Sequence, residues 1–338
     1  MPALVCMWLA ACVTMDSGGS ALAARSLAPP AGRAVGAGPV PVSGHPRPMS
    51  LLEARDRALA ANKRLVFDMW RGVVNAGHVE LADDMLTEDY IQHSPMLPTG
   101  REAFKQIFSA VERREIPDLV FPAIVTLIAE GDLVVMAMRE ELPEPDDSGN
   151  YTTTHFNLFR VEDGRLAEHW HSIQGQPGPH LPSPDEGGPQ PVTGATGSAQ
   201  MAMLRADHPA LARNKQLVFN AWREVLAAGR EDGAQHFFAE GYVDHDPNGQ
   251  SGLAALRASL ARREDGPILP AIDDPLVAMV AEGDLVVMIT GRPHPDPRRD
   301  GKTYTTTSFE MFRIEDGRIA EHWNGAARPG GSLGPYAE

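Results

Sequence analysis

Between positions 155 and 171 the chain places His155, Asn157, His169 and His171, and the same stretch recurs later as Ser308, Glu310, His322 and Asn324. Such groups suit removal of a proton next to a carbonyl. That reaction needs a base whose pKa lies near working pH and hydrogen-bond donors for the enolate oxygen. In the first stretch His171 or His155 could be the base, imidazole having an ordinary pKa of about 6.5. Asn157, Tyr90 and His93 could then donate. In the second stretch Glu310 could serve, its pKa raised by a partly apolar pocket. His245 and His322 would be donors, with Asn324 and Tyr242 beside them. Structural roles compete with these. His93 and His245 could bond backbone at a helix-to-strand corner. His169 and His322, kept in both stretches beside a tryptophan, could be framework. Trp70 and Trp222 could be core or pocket wall.

Other chemistries find less support. The only cysteines are Cys6 and Cys12, so the rest of the chain has no thiolate nucleophile and no Cys-ligated metal. A three-histidine zinc site at His155, His169 and His171 is disfavoured. Neighbours two apart on a strand lie about 7 Å apart at the Cα, and the second stretch keeps only His322. No metal and no cofactor are expected. Phosphate-binding glycine loops and a Gly-x-Ser-x-Gly nucleophile elbow are absent. With 30 Lys+Arg against 45 Asp+Glu, the net charge of −15 argues against nucleic acid or an anionic membrane as partner. No apolar run is long enough for a transmembrane span.

The elements that position these residues occur twice. Asn62-Lys63-Arg64-Leu65-Val66-Phe67 returns as Asn214-Lys215-Gln216-Leu217-Val218-Phe219, an offset of 152 that also relates Trp70 to Trp222, Tyr90 to Tyr242 and His93 to His245. Ala129 to Met136 repeats letter for letter as Ala281 to Met288. After one inserted residue the offset is 153, matching Phe159–Trp170 to Phe312–Trp323. A period this long implies two complete domains, 50–176 and 202–330, rather than a solenoid.

Each copy opens with helices. Leu65, Val66, Met69, Trp70 and Val73 form a stripe at helical period. Further helices are expected over about 79–86 and 101–113. Strands follow at 116–129, 133–141, 151–161 and 166–173. Helices first and an antiparallel meander afterwards make an α+β domain. At Glu162-Asp163-Gly164-Arg165, a G1-bulge turn would set Asn157 opposite His169, whereas a two-residue turn would set it opposite Trp170. The first register is preferred. It puts His155, Asn157, Phe159, Ala167, His169 and His171 on one face. Phe156, Leu158, Leu166 and Trp170 pack on the other, where Arg160 and Glu168 pair.

Tyr90-Ile91-Gln92-His93-Ser94-Pro95, Gly100 and the segment Phe159–Trp170 together resemble the SnoaL-like polyketide cyclase family, over nearly all of each repeat. The resemblance implies a nuclear transport factor 2-like fold, a cone-shaped curved sheet wrapped over helices with a pocket inside. It also implies an intramolecular aldol closure run by an Asp acid/base without metal or cofactor. The family often carries Asp where this chain has Asn157 and Glu310, and again where it has His171 and Asn324.

Residues 1–23 are expected to be a signal segment. Pro2–Met15 is an apolar run and Ala21-Leu22-Ala23 fits an A-x-A cleavage pattern, while Leu9-Ala10-Ala11-Cys12 fits a lipobox. Export, secreted or periplasmic, is therefore expected, with a lipid on Cys12 or a cytoplasmic location as alternatives. Residues 24–49 and 177–201 are Pro/Gly-rich and expected to be linkers that bury no apolar surface. The functional expectation has two branches. One is acid/base aldol condensation or isomerisation of an enolisable carbonyl compound. The other is a non-catalytic module binding a small apolar ligand, or an interaction module. In both, the repeats form an intrachain pseudo-dimer that could associate further.

Overall fold

The computed structural model describes residues 38–172, 182–296 and 298–330. The proposed signal segment and Cys12 lie outside them. Asp56 caps the first helix by accepting the Ala58 amide, and the apolar stripe that follows carries α1 (Arg57–Met69) across the sheet. Next come α2 (Ala82–Met85), β1 (Leu86–Gln92), α3 (Arg101–Phe108), β2 (Ile124–Glu130), β3 (Leu133–Pro143), β4 (Asn150–Glu162) and β5 (Arg165–His171). The second domain repeats this as α4 (Pro209–Ala221), α5 (Ala234–Phe237), β6 (Phe238–Asp244), α6 (Leu253–Leu260), β7 (Leu276–Glu282), β8 (Leu285–Pro295), β9 (Thr303–Glu315) and β10 (Arg318–Asn324). Both are α+β, with five-stranded sheets of order β1-β5-β4-β3-β2 and β6-β10-β9-β8-β7.

Two local readings change. Residues 86–92, expected as a helix end and corner, form β1, which lies parallel to β5 and makes each sheet mixed. Its partner is about 80 positions away, so no hairpin signal announces it, and Glu88 and Asp89 hide the alternation. The strand expected from 116 begins only at Ile124, because Pro117 and Pro122 cannot donate to a ladder.

The turn also differs. Asp163 and Gly164 both have positive φ, 49° and 74°, which makes a two-residue hairpin turn. A bulge beyond Arg160 then shifts the register, and Asn157 faces His171 rather than His169 or Trp170. The extra residue restores the expected parity, so His155, Asn157, Phe159, His169 and His171 do share the inner face. Leu166 and Ala167 exchange places: Leu166 joins the inner core with Phe159, while Ala167 is skipped in the pairing.

The outer faces of the two sheets meet. Phe156, Leu158 and Trp170 pack against Phe309, Met311 and Trp323 in one apolar cluster, and Phe156 stacks on its counterpart Phe309 at 5.5 Å. Around that axis the repeated letters form reciprocal bonds. Lys63 Nζ meets Glu282 Oε1 at 2.6 Å while Glu282 Oε2 accepts the Ala129 amide. Lys215 meets Glu130 at 2.7 Å, and Glu130 accepts the Ala281 amide. The tandem repeats are thus packed as an intrachain pseudo-dimer.

The expectation that the Pro/Gly-rich segments bury no apolar surface fails at Val42 and Val192, both inside the cluster between the sheets. Each segment runs from the far domain to its own. The Val40 amide bonds Asp244 O and the Val42 amide bonds Thr152 Oγ1, and Gln190 and Val192 repeat this at Gln92 O and Thr305 Oγ1. Proline-rich chain can pack where its remaining amides find acceptors.

Candidate functional site

The inner face of each sheet carries an imidazole held between two side chains from neighbouring strands. In domain 2, β6 and β9 flank β10, so Asp244 and Phe312 lie beside His322 and Glu310 lies beside Asn324. His322 Nδ1 is 3.1 Å from Asp244 Oδ1 and Nε2 is 2.8 Å from Glu310 Oε2. Burial works against a charged ring here, but the Asp244 and Glu310 carboxylates overcome it and push the His322 pKa up to about 10. The ring is therefore an imidazolium at neutral pH and donates to both oxygens. Asp244, despite its own burial, is held below the usual carboxylate range by that charge. Tyr242 is buried beside Asp244, and burial followed by that carboxylate raises its phenol. Asn324 donates to Asp246 Oδ2 at 2.9 Å.

Domain 1 keeps the geometry and removes the charge. Gln92 stands where Asp244 does, and Asn157 where Glu310 does. His169 Nδ1 is 2.9 Å from Gln92 Oε1, and Nε2 is 3.0 Å from Asn157 Oδ1. Burial, with the nearby His155 and His93 rings, lowers the His169 pKa to about 3. A neutral ring has one N–H, so one of the flanking amides turns its nitrogen toward it. Around this centre, His155 is lowered to about 4 and His171 well below its ordinary value, burial leading in both. His171 Nε2 lies 2.6 Å from Ser94 Oγ. The Tyr90 hydroxyl is buried without a partner among the described residues.

The structure separates some expected site residues from these centres. His93 and His245 sit on the other side of the sheet. His93 stacks on Trp170 at 4.5 Å, faces Glu168 Oε2 at 2.8 Å and reaches the carbonyls of Gln190 and Pro191. His245 stacks on Trp323 at 4.6 Å and reaches Glu321 and Val40 O. Each pins the segment leading to the opposite domain. Trp70 is buried in the helix-side core, its Nε1 donating to Phe121 O at 3.3 Å. Trp222 is half-buried against the equivalent core.

Three participants were missed. Gln92 and Asp244 share strand parity with Tyr90 and Tyr242, two residues earlier, a signal lost once β1 and β6 went unrecognised. Glu140 is the third. It follows Met136 and Met138 onto the inner face of β3, and its Oε2 lies 3.9 Å from His155 Nδ1. Burial raises its pKa to about 7.

A cleft of about 150 Å³ opens beside the charged centre. Its wall includes Glu310, Asn324, Ser308, Thr307 and Arg292 of domain 2, and Ser172 of domain 1. Among the described residues no group of three or more His, Cys, Asp or Glu is arranged to hold a metal ion.

Comparison with known families agrees with this topology. The model of SnoaL-like polyketide cyclases matches residues 64–177, and that of the SnoaL-like domain matches residues 219–322. The chain belongs to the SnoaL-like family. It is a tandem of two SnoaL-like domains, each with the nuclear transport factor 2-like fold. Similar solved structures include a protein described as a SnoaL-like polyketide cyclase from Jannaschia sp. CCS1, at 19% identity over 35% of this chain and 89% of that one, TM-score 0.26. TsrD from Streptomyces laurentii is 22% identical over 36% and 90%, TM-score 0.24. An LEH-like epoxide hydrolase from M. tuberculosis is 15% identical over 34% and 83%, TM-score 0.25. No curated protein matches the chain.

Proposed function

We propose that this SnoaL-like tandem is a cofactor-independent acid/base enzyme whose working centre is in domain 2. The observation that carries this reading is Glu310, which lies 2.8 Å from His322 Nε2 and at the same time forms part of the cleft wall. Glu310 accepts a proton from the carbon next to a carbonyl. The electron pair moves onto the carbonyl oxygen, to which Ser308 Oγ and the second N–H of Asn324, both of the cleft wall, donate in this reading. The enolate then attacks a second carbonyl, whose oxygen takes the proton from Glu310 to complete an aldol closure, or the enolate takes that proton back at another carbon in an isomerisation. Positioned proton transfer of this kind supplies about 10²–10⁴-fold in rate.

Domain 1 is the binding or supporting half in this reading. The amides Gln92 and Asn157 replace the carboxylates, and the lowered imidazoles His155, His169 and His171 remain neutral and weakly basic. The N-terminal pattern supports export, which the mass of the mature N-terminus tests: a retained Met1 ends that proposal.

The function is tested by deuterium exchange at the α-carbon of enolisable ketones, followed by NMR. Wild-type protein is expected to accelerate exchange and Glu310→Gln to lose the acceleration. Exchange persisting in Glu310→Gln, but lost in His171→Ala with an unchanged melting temperature, would move the chemistry to domain 1.

A further inference from the structure

The cleft beside Glu310 contains a cation where the other domain has an acid. Arg292 of β8 stands opposite Thr306, and its counterpart Glu140 of β3 stands opposite Thr153. Both are four residues beyond a buried methionine, Met288 or Met136, that pairs with the central Glu310 or Asn157. At the spacing of an extended strand, Arg292 lies about 13 Å along β8 from the level of Glu310. Both residues border the same cleft.

We propose that Arg292 is the recognition site for a carboxylate on the substrate, and that the substrate is a short-chain keto acid rather than a multi-ring compound. This inference rests on the acid/base reading of the same cleft. Among the described residues the Arg292 guanidinium makes one hydrogen bond, from Nε to Asp274 Oδ2 at 3.3 Å, and neither terminal nitrogen has a protein partner there. A guanidinium fork matches a carboxylate through two parallel N–H···O bonds. Thr307 and Ser308, on the wall of the same cleft, each carry a hydroxyl. Glu310, Asp244 and Asp246 at this centre are carboxylates that repel an anion, and the His322 imidazolium is already engaged by Asp244 and Glu310, so an anion is favoured at Arg292. The anion therefore docks at the mouth, and the carbon chain points inward so that its α-carbon reaches Glu310.

Size supports the same conclusion. The cleft offers about 150 Å³. Sites for drug-sized ligands run to about 300–1,000 Å³. Ser172 of domain 1 closes one side, where Gly325 approaches so tightly that a Cβ there would meet the Ser172 Cβ at 2.8 Å.

The test is calorimetric titration of the full chain with acetoacetate and levulinate, each against its methyl ester. Wild-type protein is expected to bind the acids at least tenfold more tightly than the esters, with affinity falling as salt rises. Arg292→Gln should lose that preference at least tenfold, and Arg292→Lys should restore part of it. Arg292 is largely at the surface, so melting temperatures within a few degrees of wild type show that the variants fold. Equal affinity for acid and ester, an unchanged Arg292→Gln, or no binding of either acid overturns the proposal. Glu310→Gln separates the two claims. Arginine-dependent binding without α-exchange in wild type sinks the acid/base reading and leaves the anion site standing. Exchange that depends on Glu310 and ignores Arg292 does the reverse.

Discussion

The two inner faces hold an imidazole in the same place, between the same strands, and give it opposite character. In domain 2 two carboxylates push His322 up to about 10, and in domain 1 two amides leave burial unopposed and His169 falls to about 3. Distances at the two rings differ by no more than about 0.2 Å, so geometry does not cause the difference. It comes from exchanging Asp for Gln and Glu for Asn, which keeps a hydrogen-bonding group at each place and deletes its charge. A buried ring carries a proton only where charge compensates desolvation.

The sharpest way to break this contrast is to make domain 2 resemble domain 1. Glu310→Asn is expected to lower α-exchange by about 10²–10⁴-fold and to drop the His322 pKa toward that of His169. Exchange rates and imidazole NMR titration check both. The opposite change, Asn157→Glu, should raise the His169 pKa, because a carboxylate replaces its amide neighbour.

Next in size is the packing that holds the halves together. Lys63 is only 3% exposed, and Lys63→Met leaves Glu282, among the described residues, with the Ala129 amide. Removing one member of a buried pair costs about 3–5 kcal/mol, and the lower figure applies because Glu282 keeps a quarter of its surface in water. Calorimetry should show a lower melting temperature, with the domains beginning to melt separately. A single unshifted transition would mean that the apolar cluster alone couples them.

The pH dependence of stability should divide along the same line. His322 is raised in the folded state, so its contribution is complete below the unfolded value near 6.5 and is lost as pH climbs through about 10. His155 and His169 are lowered to about 4 and about 3, so the unfolded chain binds their protons first and stability falls as pH drops below 6.5. By pH 5.5 that loss is about 1.4 kcal/mol per imidazole. Glu140, raised to about 7, works the other way between its ordinary 4.5 and that value and offsets part of it. Acid should therefore melt domain 1 first and alkali domain 2 first, as single-domain NMR probes would report.

The smallest expected effect concerns the pinned segments. His93→Ala removes the stack on Trp170 and the contacts to Gln190 and Pro191, at about 1 kcal/mol. Limited proteolysis near residue 190 should quicken while α-exchange in domain 2 stays unchanged. If exchange falls instead, His93 influences the cleft from a distance.

Much was legible in the residue order. Exact repetition announced two copies, apolar period separated helices from strands, and alternation along β4 and β5 placed His155, Asn157, His169 and His171 together. These are local signals, carried by residues within one element or one hairpin. Repetition of Lys63 with Lys215 and of Glu130 with Glu282 was visible, yet its purpose was not, because the reciprocal pairs join residues about 85 and 219 positions apart.

What could not be read from order alone was every property that depends on a distant neighbour. The partners of each central histidine come from a parallel strand and a hairpin mate, so Gln92, Asp244 and Glu140 passed unnoticed, and the sign of each pKa shift went with them. Composition and periodicity fixed which face a side chain occupies. Only the packed sheet, by excluding water and bringing in or withholding a carboxylate, set whether that face carries charge.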